Sequence, residues 1–284
     1  MEQTQAHPFI IWTLRRTGGT NLTKHLVKLS GLPSTQHEPF NEGRVLGHVT
    51  ESWNHHRDRS ALDASVEEII RTGVVIKHCV ETVPWAINES LAGVAARAGY
   101  RHLFLYRRNA LDRLLSLHFA QKTGVWGPGM KQVYEASAAT GAAELQAEAG
   151  SLSGEAIAPL PVEKLLDHER RCVRLLSCCW RTLRASGAKP LALAYEDVYR
   201  TNGAGLLVKA LAPVLSGLGL RYDETGVRAW AANLVGSGDQ GTRDKYRLIP
   251  GMEELAEGVQ SLAPFSPPPA SDVSGSRRNR GYDH

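Results

Sequence analysis

Four apolar residues in succession, Phe9-Ile10-Ile11-Trp12, precede a polar glycine-bearing turn from Arg15 to Thr20. A helical pattern of Leu22, Leu26 and Leu29 with Val27 follows and stops at Gly31-Leu32-Pro33. A strand without polar alternation has to be buried on both faces, as strands inside parallel sheets are. Strand, glycine turn and helix in that order open a βαβ unit.

The pattern recurs. Strands are predicted at Val74-Val75-Ile76, at Leu103-Phe104-Leu105-Tyr106 and at Leu191-Ala192-Leu193-Ala194-Tyr195. Pro84 to Gly99 reads as a helix with proline near its start and glycine at its stop. Ala110 to Gln121 reads as another, with Leu111, Leu114, Leu115 and Phe119 to one side. Strands alternating with helices predict an α/β fold, a parallel sheet flanked by helices on both faces.

The middle of the chain differs. Residues from about 124 to 188 are first alanine-rich and then carry a long helical pattern from Val162 to Ala185. They read as a mainly helical insertion or layer within a single domain spanning 1–263. Residues 136–154, small and polar, read as a mobile lid. Residues 264–284, PFSPPPASDVSGSRRNRGYDH, read as a disordered tail.

With 42% hydrophobic residues in 284, the chain has ample material for a core. Its net charge of +4 is too small to argue for nucleic acid but suits an anionic ligand if basic groups converge. Part of the excess sits in Arg277, Arg278 and Arg280. The four cysteines lack zinc-type spacing and read as free thiols of a reducing compartment. The opening MEQTQAHPFIIWTLRR lacks the basic start and apolar core of a signal peptide. The most apolar later stretch, Gly205 to Leu220, carries Lys209 and is too short to span a bilayer. The expectation is a cytoplasmic protein with no membrane span and no nucleic-acid partner; oligomeric state is not readable.

Two stretches carry chemistry. The first is Arg15-Arg16-Thr17-Gly18-Gly19-Thr20-Asn21, between strand and helix. Backbone N–H groups of such a turn, backed by a helix dipole, form an anion site. Glycines let the backbone close around phosphate oxygens, the threonine hydroxyls add donors, and Arg16 adds charge. The turn is not the GxxxxGK[ST] loop of nucleotide triphosphatases, because no lysine precedes Thr20. It is therefore expected to hold a phosphate-like group without a required metal. The second is Arg108-Asn109 at a strand end, with Ser116 eight residues on, about two turns into the next helix. An arginine at a strand's carboxyl end enters the crevice where α/β sheets bind ligands.

Together these stretches resemble the cofactor signature of PAPS-dependent sulfotransferases, where PAPS is 3′-phosphoadenosine 5′-phosphosulfate. Arg16-Thr17-Gly18-Gly19-Thr20 is similar to that family's [KR]-[ST]-G-[ST]-[ST] element for the 5′-phosphosulfate, with Gly19 in place of a hydroxyl residue. Arg108-Asn109 with Ser116 fits its R-N-x-x-x-x-x-x-S element for the 3′-phosphate. Tyr195-Glu196-Asp197 resembles a structural segment of the family. The resemblance covers residues 8 to 200 and implies a P-loop-like fold and a bacterial, nucleotide-binding enzyme of the carbohydrate or natural-product branch. In that branch a glutamate in an E-[PY]-F segment is the base, which points to Glu38 of Glu38-Pro39-Phe40-Asn41. Val74-Val75-Ile76-Lys77-His78 resembles a strand ending in lysine, after which another branch places a histidine base. His78 is adjacent to Lys77 here, so the base stays open between Glu38 and His78. Arg243, in the glycine-bearing run from Gly236 to Arg247, is the candidate for closing over the 3′-phosphate.

The resemblance implies in-line transfer of a sulfuryl group from PAPS, as co-substrate, to a hydroxyl of a sugar or natural product, with no metal. Arg16 and Lys77 would stabilise charge on the leaving phosphate. Residues 38–60 and 123–155, with Trp53, His55, His56, Trp126 and Tyr134, would shape the acceptor pocket. The alternatives are a P-loop-type small-molecule kinase and a non-catalytic nucleotide-binding scaffold.

Overall fold

The computed structural model of the chain describes residues 6–35, 37–123, 159–201, 204–220, 223–236 and 250–267. β1 (Phe9–Thr13) is buried along its whole length. It pairs in parallel with β2 (Ile76–Cys79) on one side and β3 (Arg101–Tyr106) on the other. β4 (Leu191–Ala194) pairs in parallel beyond β3, giving the order β2-β1-β3-β4. The continuous apolar run of β1 is thus explained by a central place in a parallel sheet.

Alternation along the strands divides the core. Phe9, Ile11, Leu103 and Leu105 pack against α1 (Gly19–Ser30), α8 (Ala204–Gly217) and α9 (Glu224–Gly236), through Leu22, Leu26, Leu207, Leu211 and Leu234. Ile10, Trp12 and Phe104 face α2 (Gly47–His56), α3 (Arg59–Arg71), α4 (Trp85–Arg97) and α6 (Val162–Ala185). Each such buried side chain contributes roughly 1.5–3 kcal/mol, so a charge at Ile11 would break the layer rather than dent it. A third cluster joins α5 (Leu111–Thr123) and α6 to α10 (Met252–Gln260) through Leu114, Leu166 and Leu255.

Three expectations are revised. β2 starts at Ile76 and runs through Cys79, because its partner β1 continues to Thr13; Val75 makes only an isolated bridge to Ser34. The strand therefore does not end at Lys77: Lys77 and His78 both lie inside it, buried. β4 ends at Ala194, and Tyr195 opens a short helix, α7 (Tyr195–Tyr199). Phe265, placed in the disordered tail by composition, is buried, with its ring stacked on Phe104 and edge-on to Tyr106 and Trp180. The helical middle is a layer as far as it is described: α6 puts Leu176, Trp180 and Leu183 into the main core. The lid reading of 136–154, and 268–284 of the tail, lie outside the described residues.

β1 and β3 are neighbours, yet the chain leaves β1 for α1 on one face and leaves β3 for α5, which packs on α6 beside the other. Diverging connections of this kind open a crevice at the carboxyl edge of the sheet. No helix of the described residues is long and apolar enough to cross a membrane.

Candidate functional site

The turn after β1 is held in a left-handed path. Arg16 has φ 65° and Gly18 has φ 79°. A Cβ on Gly18 would stand 2.9 Å from the Tyr199 ring and 3.1 Å from the Tyr195 ring, so only glycine fits. The Tyr199 hydroxyl donates to the Gly18 carbonyl at 3.2 Å. Gly18 is also the N-cap of α1 and offers no side chain to the first-turn N–H groups, leaving them for an anion. The Thr17 hydroxyl is buried and has no hydrogen-bond partner among the described residues. A buried hydroxyl left unpaired costs about 1–3 kcal/mol, which a ligand oxygen would relieve.

Gly19 has a different reason to be small. Its Cβ would lie 3.1 Å from Cε of Lys77 and 3.1 Å from the Thr13 methyl. A side chain at position 19 would meet the Lys77 stem. Thr13 in turn donates to the Leu105 carbonyl at 2.9 Å, tying the end of β1 to β3.

Lys77 Nζ donates to Glu38 Oε1 at 2.6 Å. Glu38 has φ 55°, and its N–H donates to the Lys77 carbonyl, so the 37–41 segment runs beside β2. Asn41 donates to the other carboxylate oxygen at 3.2 Å, and Thr82 donates to Asn41. Cys79, on the same side of β2 as Lys77, donates its thiol proton to Glu38 Oε1 at 3.5 Å. Burial opposes ionisation of Glu38, but the charge and hydrogen bond of Lys77 outweigh it and hold the carboxyl below its ordinary range. For Lys77 burial works against the charge, and the acidic groups around it, Cys79, Glu38 and Glu81, outweigh burial and raise its pKa. Glu38 is thus a carboxylate at neutral pH, able to accept a proton.

The structure does not bring His78 to this site. It faces the opposite side of β2, edge-on to Trp12 and Phe40. Asn88 donates to the Val80 carbonyl, so its Oδ1 accepts from His78 Nε2 at 2.7 Å. Burial lowers the His78 pKa to about 4. The strand period explains the outcome: adjacent residues point to opposite faces.

At the edge of β3, Arg108 is half exposed and makes a bidentate pair with Asp197, at 2.7 and 2.5 Å. Glu196 accepts from the N–H groups of Arg108 and Asn109. Ser116, buried on α5, does not reach Arg108; its Oγ accepts from Arg16 Nε at 2.8 Å. The two sequence motifs therefore meet through Arg16 and Ser116.

Arg15 supports the turn from beneath: its N–H donates to Glu81 Oε1 at 2.7 Å, and Arg113, paired with Glu169, reaches its carbonyl. Thr20 is exposed on the first turn of α1. Asn21 donates to the Leu234 carbonyl on α9 at 2.7 Å and to the Tyr199 hydroxyl at 3.4 Å. Arg243, Trp126 and Tyr134 lie outside the described residues.

Sequence reasoning missed Glu81, Arg113, Tyr199, Asn41 and Arg107. The i, i+4 spacing of Tyr195 and Tyr199 was a usable signal, since it places both rings on one face, 4.6 Å apart. Glu81 and Arg113 carried none, because their partners are distant in sequence. No protein-family model matches the chain, and no curated protein matches it.

Proposed function

We propose that the protein is a sulfotransferase that uses PAPS to sulfate a hydroxyl of a small acceptor, a carbohydrate or natural product. The observation that carries the reading is the Thr17 hydroxyl, buried and without a partner among the described residues, beside an N-terminus of α1 that no side chain caps. A donor in that position lacks only a ligand oxygen.

Residues 16–20 would hold the 5′-phosphosulfate by backbone N–H groups, the Thr17 hydroxyl and Arg16. The edge of β3, where Arg107 and Arg108 stand, would take the second anionic group. PAPS supplies the activated sulfuryl group. Glu38, ionised and 2.6 Å from Lys77, takes the acceptor's proton as its oxygen attacks. General-base help of this kind is worth roughly 10²–10⁴-fold. Lys77, lying against Gly19, is within the same constellation as the leaving phosphate's cradle and neutralises charge there. Positioning and electrostatics carry the rest, as in phosphoryl transfer.

The test is transfer of labelled sulfate from PAPS to a panel of hydroxylated metabolites, alongside binding of adenosine 3′,5′-bisphosphate. Label in acceptor and micromolar nucleotide binding are expected. Turnover with ATP and magnesium in its place would establish a kinase. Nucleotide binding with no transfer to any acceptor would leave a scaffold.

A further inference from the structure

Arg107 follows β3 directly and lies with its guanidinium carbon 3.8 Å from the centre of the Tyr195 ring. The edge of that same ring stands against Gly18, so Arg107 and the left-handed glycine of the turn flank one aromatic plate. The three groups come from the end of β3, the start of α7 and the β1–α1 turn.

Arg107 has no carboxylate within ion-pair distance among the described residues. The two whose charge acts on it are already committed: Glu196 accepts from the backbone of Arg108 and Asn109, and Asp112 pairs with Arg200. Its Nε is buried with no hydrogen-bond partner among the described residues. Arg200 adds further positive charge nearby. A buried cation kept this way, with a ring face against it and no carboxylate bonded to it among the described residues, is costly unless something anionic completes it. Arg108 is in the opposite situation, since Asp197 already fills both arms of its fork.

We propose that Arg107 is the residue that takes the phosphate lying beyond the 16–20 turn, with Tyr195 holding its guanidinium flat, and that Arg108 anchors the 107–109 turn to α7. The inference rests on the proposed function for the identity of the ligand, not for the site. A planar fork backed by a ring presents two parallel N–H donors, the arrangement suited to a phosphate monoester.

The experiment measures affinities of the full chain and of R107Q, R107K and R108Q for adenosine 3′,5′-bisphosphate and for adenosine 5′-monophosphate, which lacks the second phosphate. R107Q is expected to lose on the order of 10- to 100-fold for the bisphosphate and much less for the monophosphate. R107K keeps charge without the fork and is expected to lose only a part of that. R108Q is expected to weaken both nucleotides alike. Equal losses for both nucleotides in R107Q and R107K, or a bisphosphate-specific loss in R108Q, would overturn the assignment. If the wild type binds neither nucleotide, the sulfotransferase reading fails. The site is then judged with inorganic pyrophosphate: binding that R107Q abolishes upholds it, and binding that is absent or unchanged rejects it. Thermal midpoints of each variant separate loss of the site from loss of the fold.

Discussion

Arg16 Nε donates to Ser116 Oγ at 2.8 Å, joining residues 100 positions apart. The turn after β1 and the helix after β3 are thereby one unit. Arg16 holds a left-handed backbone, at a cost of about 1–2 kcal/mol, and the bond to Ser116 helps to fix the direction of its side chain.

Ser116→Ala removes that acceptor. Stability should fall by only about 1 kcal/mol in urea unfolding, since Arg16 can turn to water. Affinity for adenosine 3′,5′-bisphosphate should fall by roughly 10-fold because the turn is no longer preorganised. Unchanged affinity would show that Ser116 does not position Arg16.

The two glycines should respond differently to alanine. Gly18→Ala puts a Cβ into positive φ and 2.9 Å from Tyr199, and should cost about 1–3 kcal/mol. Gly19→Ala meets contacts of 3.1 Å, one of them the flexible end of Lys77, and should cost less. Thermal midpoints of the two variants, compared side by side, check the order.

Glu38→Gln leaves Lys77, 5% exposed, without its counter-charge. Stability should drop by about 3 kcal/mol and turnover should be lost, while nucleotide affinity holds. Adding Lys77→Met should recover much of the stability and none of the turnover. Normal turnover in Glu38→Gln would remove Glu38 from the chemistry.

Stability should rise with pH between about 4 and 6.5. Burial lowers both His78 and His102 to about 4, and His102 Nδ1 accepts from the Trp12 indole at 3.2 Å, so both are neutral in the fold. The unfolded chain binds protons below 6.5, the native state only near 4, so acid favours unfolding by up to about 3 kcal/mol for each. Glu38, with its pKa lowered, adds stability that is lost as pH falls through its folded value. Lys77, raised, adds stability that is lost as pH climbs past its folded value. Urea midpoints from pH 4 to 7 should trace the acid limb; a flat profile would contradict it.

The strand at Phe9–Thr13, the turn that follows and the helix at Val162–Ala185 were legible because each is announced by local pattern: an unbroken apolar run, glycines after a strand, apolar residues at helical spacing. The extent of β2 was not, because pairing with β1 decides where it ends, and polar Lys77 and His78 are tolerated only through partners 39 and 10 residues away. Phe265 looked like tail for the same reason: composition reports on neighbours in sequence, while its ring stacks on Phe104.

At the site, sequence alone determined which residue types cluster at the ends of β1 and β3, since motif order follows strand order. It could not determine their pairing. That Ser116 serves Arg16, that Arg108 is spent on Asp197, and that Arg107 is left facing Tyr195 are decisions of the tertiary structure. A hydrogen bond or ion pair is directional and short in range, so which of two adjacent arginines is satisfied depends on where α7 sets Glu196 and Asp197, and no local pattern in the chain encodes that distance.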